Sequence, residues 1–283
     1  MRLTWLTLPF TAGALLSDGF VGRSGPVCAL AVVVCWGGWA AVVAALILRR
    51  PLAMTVLRCV APLALAGALW GSLVTDRTSP ALAGVLTALT AVPVVLAFLP
   101  EVGAWLVNGA AYGDERRYPL RAPGPLLAGP LYLSWVLLAA GSLTGPFLLA
   151  AEQWVIGGAA LVLGLPLVYV MSRALHSLSQ RWAVLVPAGL VLKDHVTMLD
   201  PILVKRTEIE LLVLAPADTD ALDLTARAPG LAVEARLREK VPMTIIVPGT
   251  NRHEQGRSAK FMFTPTRPGA LLADAATRRI ATG

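Results

Sequence analysis

The sequence predicts a membrane α-helical bundle followed by a cytoplasmic, β-rich α+β domain, and three observations carry that prediction. Residues 1–171 hold successive apolar runs of about 20 residues, the length that crosses a hydrocarbon core about 30 Å thick, whereas residues 172–283 hold none. Charge divides at the same place: the first part carries 9 of the 24 Lys+Arg and 6 of the 17 Asp+Glu, and the last 112 residues carry the other 15 and 11. The whole chain is 56% hydrophobic and 14% charged with a mean hydropathy of +0.69. Soluble domains are about 25% charged, so the composition excludes an ordinary soluble enzyme.

The spans follow in order. Val27 to Leu48 is the first clear run, and Leu52 to Val74 follows after only Arg49-Arg50-Pro51, so the two form a tight hairpin. Ala81 to Leu99 is the third, entered through Asp76-Arg77-Thr78-Ser79-Pro80 and closed by Pro100-Glu101. Leu126 to Leu149 is the fourth and Trp154 to Met171 the fifth. Pro62, Pro93, Pro130, Pro146 and Pro166 lie inside these runs and predict kinks, which bundles tolerate when neighbouring groups satisfy the freed carbonyls. Residues 3–20 are ambiguous. Leu3 to Leu16 is apolar but short and interrupted by Pro9; it reads as a sixth span, favoured here, or as a signal segment with an Ala12-Gly13-Ala14 cleavage pattern.

Lys and Arg are retained on the cytoplasmic side of a membrane. If Val27 to Leu48 runs inward, one side receives Arg49, Arg50, Arg116, Arg117, Arg121, Arg173 and Arg181, and the other only Arg23 and Arg77. The predicted location is therefore the cell (inner) membrane, multi-pass, with residues 172–283 cytoplasmic. Arg58, seven residues into the second span, is close enough to that face to snorkel to the headgroups. Pro100 to Gly124, with its mixed-charge cluster Asp114-Glu115-Arg116-Arg117-Tyr118, reads as a solvated cytoplasmic loop.

In the last segment, Trp182 to Pro187, Leu190 to Leu192, Val196 to Leu199 and Ile202 to Lys205 read as short strands separated by Gly189, Lys193-Asp194-His195 and Asp200-Pro201. Leu231 to Leu237 alternates apolar and polar residues, the pattern of a half-buried strand, and Met243 to Val247 and Lys260 to Thr264 complete the series. Thr266-Arg267-Pro268 predicts the start of a helix capped by Thr266, with Leu271, Leu272, Ala275 and Ala276 on one face and Arg278-Arg279 at its negative end.

Strands followed by one terminal helix, directly after membrane spans, resemble the bacterial pleckstrin-homology-like domains. The residues that carry the resemblance are Arg181-Trp182-Ala183-Val184-Leu185-Val186, Gly189-Leu190-Val191-Leu192, and Lys205-Arg206 with Ile209. The resemblance implies a binding or assembly module without catalytic residues. The acidic stretch Ala215 to Asp223 and the scarcity of aromatics after Trp182 depart from it and leave a generic small β-sandwich or barrel open. The Arg-Trp and Thr-Pro-Thr-Arg-Pro signatures, with a composition poor in Lys and rich in Ala, Leu, Gly and Val, are similar to an uncharacterised actinobacterial family of integral membrane proteins, which implies no function.

Sites of chemistry are sparse. Cys28, Cys35 and Cys59 sit among Ala, Val and Leu at lipid depth, where thiols act as small packing residues. His176, His195 and His253 have no second ligand at zinc spacing. Asp218-Thr219-Asp220 with Asp223 lacks the Gly and closing Glu of a calcium loop and reads as turn chemistry. No phosphate-binding glycine motif occurs, and Asp18, Glu101 and Glu152 lie at span ends rather than as intramembrane carboxylate pairs. No cofactor, metal or catalytic residue is expected.

The net charge is +7, of which the last 112 residues contribute +4, the difference between 15 and 11. Arg116, Arg117, Lys205, Arg206, Arg236, Arg238 and Lys240 are the expected contacts with anionic headgroups or with a membrane-protein partner or second copy. Nucleic acid is not expected, because an aromatic stacking surface is missing. The functional expectation is a non-enzymatic membrane protein with an assembly or scaffold role. A transporter or channel component using Pro-kinked helices is the alternative, and a membrane enzyme the third.

Overall fold

The computed structural model describes residues 1–246 and 252–283, and the chain divides into two compact units. The first comprises Met1–Gly109 and Tyr132–His176, and the second Ala110–Leu131 and Ser177–Gly283.

The first unit is helical. It opens with α1 (Arg2–Leu6), a 3-10 turn (Leu8–Phe10) and α2 (Ala12–Gly19), followed by α3 (Gly25–Leu48), α4 (Pro51–Val74), α5 (Pro80–Phe98) and α6 (Pro100–Asn108). After the short α7 (Gly124–Leu127), which belongs to the second unit, come α8 (Pro130–Ala150) and α9 (Trp154–Leu178). Among the described residues, α3, α4, α5, α8 and α9 are the 5 helices long and apolar enough to cross a membrane. A proline stands in the first turn of α3, α4, α5 and α6, where its missing N–H costs nothing and its fixed φ starts the helix. Pro130 likewise opens α8 instead of kinking it, and α9 runs on past Met171 to Leu178.

The centre of this unit is α4, which packs against α2, α3, α5 and α6. Its Leu57, Ala61 and Ala68 are fully buried. Gly71 admits α2 so closely that a Cβ there would stand 2.6 Å from the Leu15 carbonyl oxygen. The N-terminal segment, broken at Pro9, lies antiparallel to α3. At one end the Arg2 guanidinium donates to the Leu46 carbonyl at 3.0 Å. Midway, the indole N–H groups of Trp5 and Trp39 each donate to the other's carbonyl at 3.2 Å. At the far end Asp18 accepts from Thr78 at 2.7 Å. Arg2–Gly19 thus runs alongside the long helices, although neither of its helices alone reaches spanning length.

The second unit contains two four-stranded sheets. The first is the antiparallel meander β1 (Arg116–Pro119), β2 (Trp182–Val186), β3 (Gly189–Lys193) and β4 (Ile202–Lys205). The second has the order β5-β7-β8-β6, built from β5 (Ile209–Leu214), β6 (Leu222–Asp223), β7 (Val233–Ile246) and β8 (His253–Phe263), with β6 parallel to β8. The helix α10 (Pro268–Thr277) follows, and Leu271 and Ala275 enter the same core as Leu185, Leu190, Val204, Leu212, Phe261 and Phe263.

Several expectations need correction. The expected solvated loop at 100–124 is half structured: α6 occupies its start, and β1 is a strand of the second unit. Tyr118 and Leu120, 6% and 7% exposed, supply the apolar surface that draws it in. Val196 to Leu199 is a turn that ends in a single antiparallel bridge, Met198 opposite Ile245, rather than a full strand, because Asp194 accepts the Val196 N–H on its side chain and the Met198 N–H on its carbonyl. The two strands expected at 231–237 and 243–247 are one strand, β7, with an irregularity between Arg236 and Val241; Val247 lies outside the described residues. Thr266 does not cap α10. Its backbone N–H donates to the Pro119 carbonyl at 2.8 Å, and Arg267 takes the cap position. Ala276 is exposed, not on the buried face.

Candidate functional site

The seven cations singled out in the sequence are distributed over both sheets of the second unit. Arg116 and Arg117 lie on β1, Lys205 ends β4, and Arg206 follows it in a turn. Arg236, Arg238 and Lys240 lie on β7. They do not form one patch, and the electrostatics of the two sheets differ.

Side chains alternate along a strand, so the first sheet has a core face and an outward face. Tyr118, Ala183, Leu185, Leu190, Leu192, Ile202 and Val204 point into the core. The opposite face is built by register: Arg117, Val184, Val191 and Leu203 form one cross-strand row, and Pro119, Trp182 and Lys193 form the next; Val184 and Pro119 are buried, and the face opens toward Leu203 on the edge strand β4. Trp182 lies between two cations. The Arg117 guanidinium carbon is 5.4 Å from the ring centroid, and so is the Lys193 ammonium nitrogen. Each such cation–π contact contributes about 0.5–1 kcal/mol at a solvent-accessible site. Arg117 also donates to Glu115, and Lys205 lies 3.7 Å from Glu208. Leu203, at 49% exposed, is a large apolar side chain facing out among these cations.

On the second sheet two of the cations are matched internally. The Arg236 Nε donates to Glu234 at 2.6 Å, and the Lys260 Nζ donates to Asp220 at 2.9 Å. Burial pushes the Glu234 carboxyl up, but hydrogen bonds from Thr219 and Arg236 outweigh it and hold the group below the usual carboxylate range. Asp220 is held low as well, by the hydrogen bond and charge of Lys260. The acidic stretch that resembled a calcium loop is thus partly spent on ion pairing. Arg238 and Lys240 are exposed at the irregularity in β7.

One buried constellation was not anticipated. Arg181 and Asp194, with side chains 1% and 0% exposed, form a two-point ion pair, Nε to Oδ1 at 2.6 Å and the second terminal nitrogen to Oδ2 at 2.7 Å. The remaining guanidinium nitrogen donates to the Arg121 carbonyl at 2.8 Å. The pair fastens the base of the β2–β3 hairpin to the segment that follows β1. Nearby His195 is exposed, yet partial desolvation pushes its imidazole down, with Asp194 opposing. Tyr118 donates to the Asp274 carboxylate and ties β1 to α10. Burial, then that bond, raises its phenol well above the ordinary value.

In the first unit the Arg58 Nε lies 3.4 Å from the Ala97 carbonyl and its guanidinium sits over the Phe98 ring, so the side chain reaches the carbonyl end of α5. The Thr55 hydroxyl and His176 Nδ1 are 2.9 Å apart. An open cleft of 540 Å³ is lined by Phe20, Arg23, Ser24, Trp70, Thr144 and Phe147, among others. Cys28, Cys35 and Cys59 are free thiols. Among the described residues no three His, Cys, Asp or Glu side chains group closely enough to hold a metal ion.

Comparison of the chain with protein-family models, with curated proteins and with solved structures finds no match in any of the three. The functional reading therefore rests on the geometry alone.

Proposed function

We propose that this chain is a non-enzymatic, multi-pass protein of the cell (inner) membrane with an assembly or scaffold role, whose cytoplasmic domain binds a partner or the inner-leaflet surface. The observation that carries the reading is the way the second unit is threaded. It takes β1 from the segment between α6 and α8 and its other strands from beyond α9, so three chain connections join it to the helical unit. A domain fastened three times is suited to being held at a bilayer, where it presents a fixed surface. The arginine distribution supports the cytoplasmic side, and Arg2, bonded to Leu46 beside Arg49 and Arg50, adds to it. Two sheets followed by a terminal helix support the resemblance to pleckstrin-homology-like modules.

The test is chemical crosslinking in native membranes, comparing the full chain with a version truncated after Arg173. A partner, or a second copy, captured by the full chain and lost on truncation is the expected result. Substrate turnover by the purified protein that depends on Asp194, His195 or Asp200 would sink the reading.

A second reading, a transporter or channel component, is favoured by the cleft between the N-terminal segment, α4 and α8. Its volume is in the range that holds a small molecule, about 300–1,000 Å³. Flux in proteoliposomes that disappears when Pro146 or Pro166 is replaced by Ala is the outcome that would favour it.

A further inference from the structure

The outward face of the first sheet combines features that the second sheet lacks. Trp182 is amphipathic and is held in place by Arg117 on one side and Lys193 on the other. Leu203 is exposed on the edge strand β4, two strands away from Trp182 and opposite Val191, and Lys205, with a side chain 68% exposed, follows two residues on along the same face. A large indole, an exposed Leu and flanking ammonium groups form the combination that sits at a membrane interface. The rings occupy headgroup depth, and the cations meet the negative surface of the inner leaflet. The second sheet also carries exposed cations, Arg238, Lys240 and Arg257, and on the first sheet Arg117 and Lys205 are themselves paired with Glu115 and Glu208; what the second sheet lacks, among the described residues, is an aromatic side chain on its outward face.

Chain connectivity points the same way. β2 begins four residues after α9 ends, so Trp182 lies within about 13 Å of extended chain from the end of a helix long enough to span. A tether this short gives the face a high effective concentration at the surface beside it, and weak contacts then suffice.

We propose that this face, through Trp182, Lys193, Leu203 and Lys205, is a contact site for anionic phospholipid headgroups of the inner leaflet. Arg117 is its positioning residue, holding the indole. Lys193 and Lys205 meet phosphate oxygens, and Trp182 and Leu203 insert at the level of the glycerol backbone. The inference rests on the cytoplasmic placement of the second unit argued above, and it names the lipid surface as the partner of that unit.

The experiment uses the full chain in nanodiscs of phosphatidylcholine alone or of phosphatidylcholine mixed with phosphatidylglycerol. A single cysteine replaces Leu203, L203C, with Cys28, Cys35 and Cys59 changed to Ala, and its labelling by a water-soluble maleimide is timed. Labelling is expected to slow in the anionic discs, to recover in high salt, and to recover about fivefold for each of K193Q and K205Q. Amide exchange over β2–β4 in the unmodified chain provides a second readout that needs no substitution, with protection expected only in the anionic discs. Equal labelling and equal exchange in both lipids would overturn the proposal. If Leu203 is instead shielded in native membranes by a crosslinked protein, the lipid assignment fails while the assembly reading stands. If L203C in intact cells is labelled by a membrane-impermeant maleimide added outside, both fail.

Discussion

At the level of single residues the Arg181–Asp194 pair dominates the second unit. Two charges removed from water are tolerated there because both carboxylate oxygens and the guanidinium find partners. Removing one partner leaves the other charge buried and unmatched. Asp194→Ala is expected to destabilise the unit by about 3–5 kcal/mol, while replacing both residues with apolar ones of similar volume costs much less. Denaturant titration followed by amide exchange in β2 and β3 measures both variants. The pair was readable in principle: β2 and β3 form a hairpin around Pro187-Ala188, and Trp182 faces Lys193, so the next positions outward are 181 and 194. Reading Lys193-Asp194-His195 as an isolated turn concealed it. His195 adds a pH dependence. Partial desolvation holds its imidazole below the ordinary 6.5, so the unfolded chain accepts a proton that the folded chain resists. Stability is therefore full above the ordinary imidazole value and declines as pH falls through it toward the lower folded value. His195→Gln is expected to flatten that decline in a thermal-melting series between neutral and mildly acidic pH; an unchanged slope would show that His195 does not cause it.

Among the elements, helix pairing in the first unit depends on glycine. In α8 and α9 a Cβ at Gly164 would stand 2.6 Å from the Gly141 carbonyl oxygen, and one at Gly145 would stand 2.8 Å from the Leu161 backbone. Close backbone approach of this kind is how helices associate in lipid, where burial of apolar surface supplies no drive. Gly164→Leu is expected to push the pair toward the ordinary 8–10 Å spacing. Spin labels on Ser142 and Val162, read by pulsed electron resonance in nanodiscs, will report a longer distance if the close contact sets the spacing. The five long helices were legible in the sequence because a span needs a continuous apolar run of about 20 residues, far longer than a buried strand or a core helix face requires. β1 was not legible. Its four residues, Arg116-Arg117-Tyr118-Pro119, are too few to display alternation, and its partner strand lies beyond two long helices. β5 escaped notice because Ile209–Leu214 is nearly continuous in apolar residues, a pattern that strands share with helix fragments.

For the whole molecule, the N-terminal segment decides the count of crossings. Arg2 is fixed near the end of α3 and Asp18 near the start of α5, so the segment runs the length of its neighbours. Both ends of the chain are then expected on the same side. Cysteines introduced at Thr4 and Thr282 should be labelled from the cytoplasmic side and one at Asp76 from the other; labelling of Thr4 and Asp76 from one side would remove the sixth crossing. The threading of β1 also imposes an order on biosynthesis. When Pro119 leaves the ribosome, β2 does not yet exist, and some sixty residues containing α8 and α9 must be made first. At about 5–20 residues per second the strand waits for several seconds, and its sheet closes only once that helical pair has been delivered. Completion of the second unit thus waits on α8 and α9, and a chain that stops before β2 is left with an open strand edge for quality control to find.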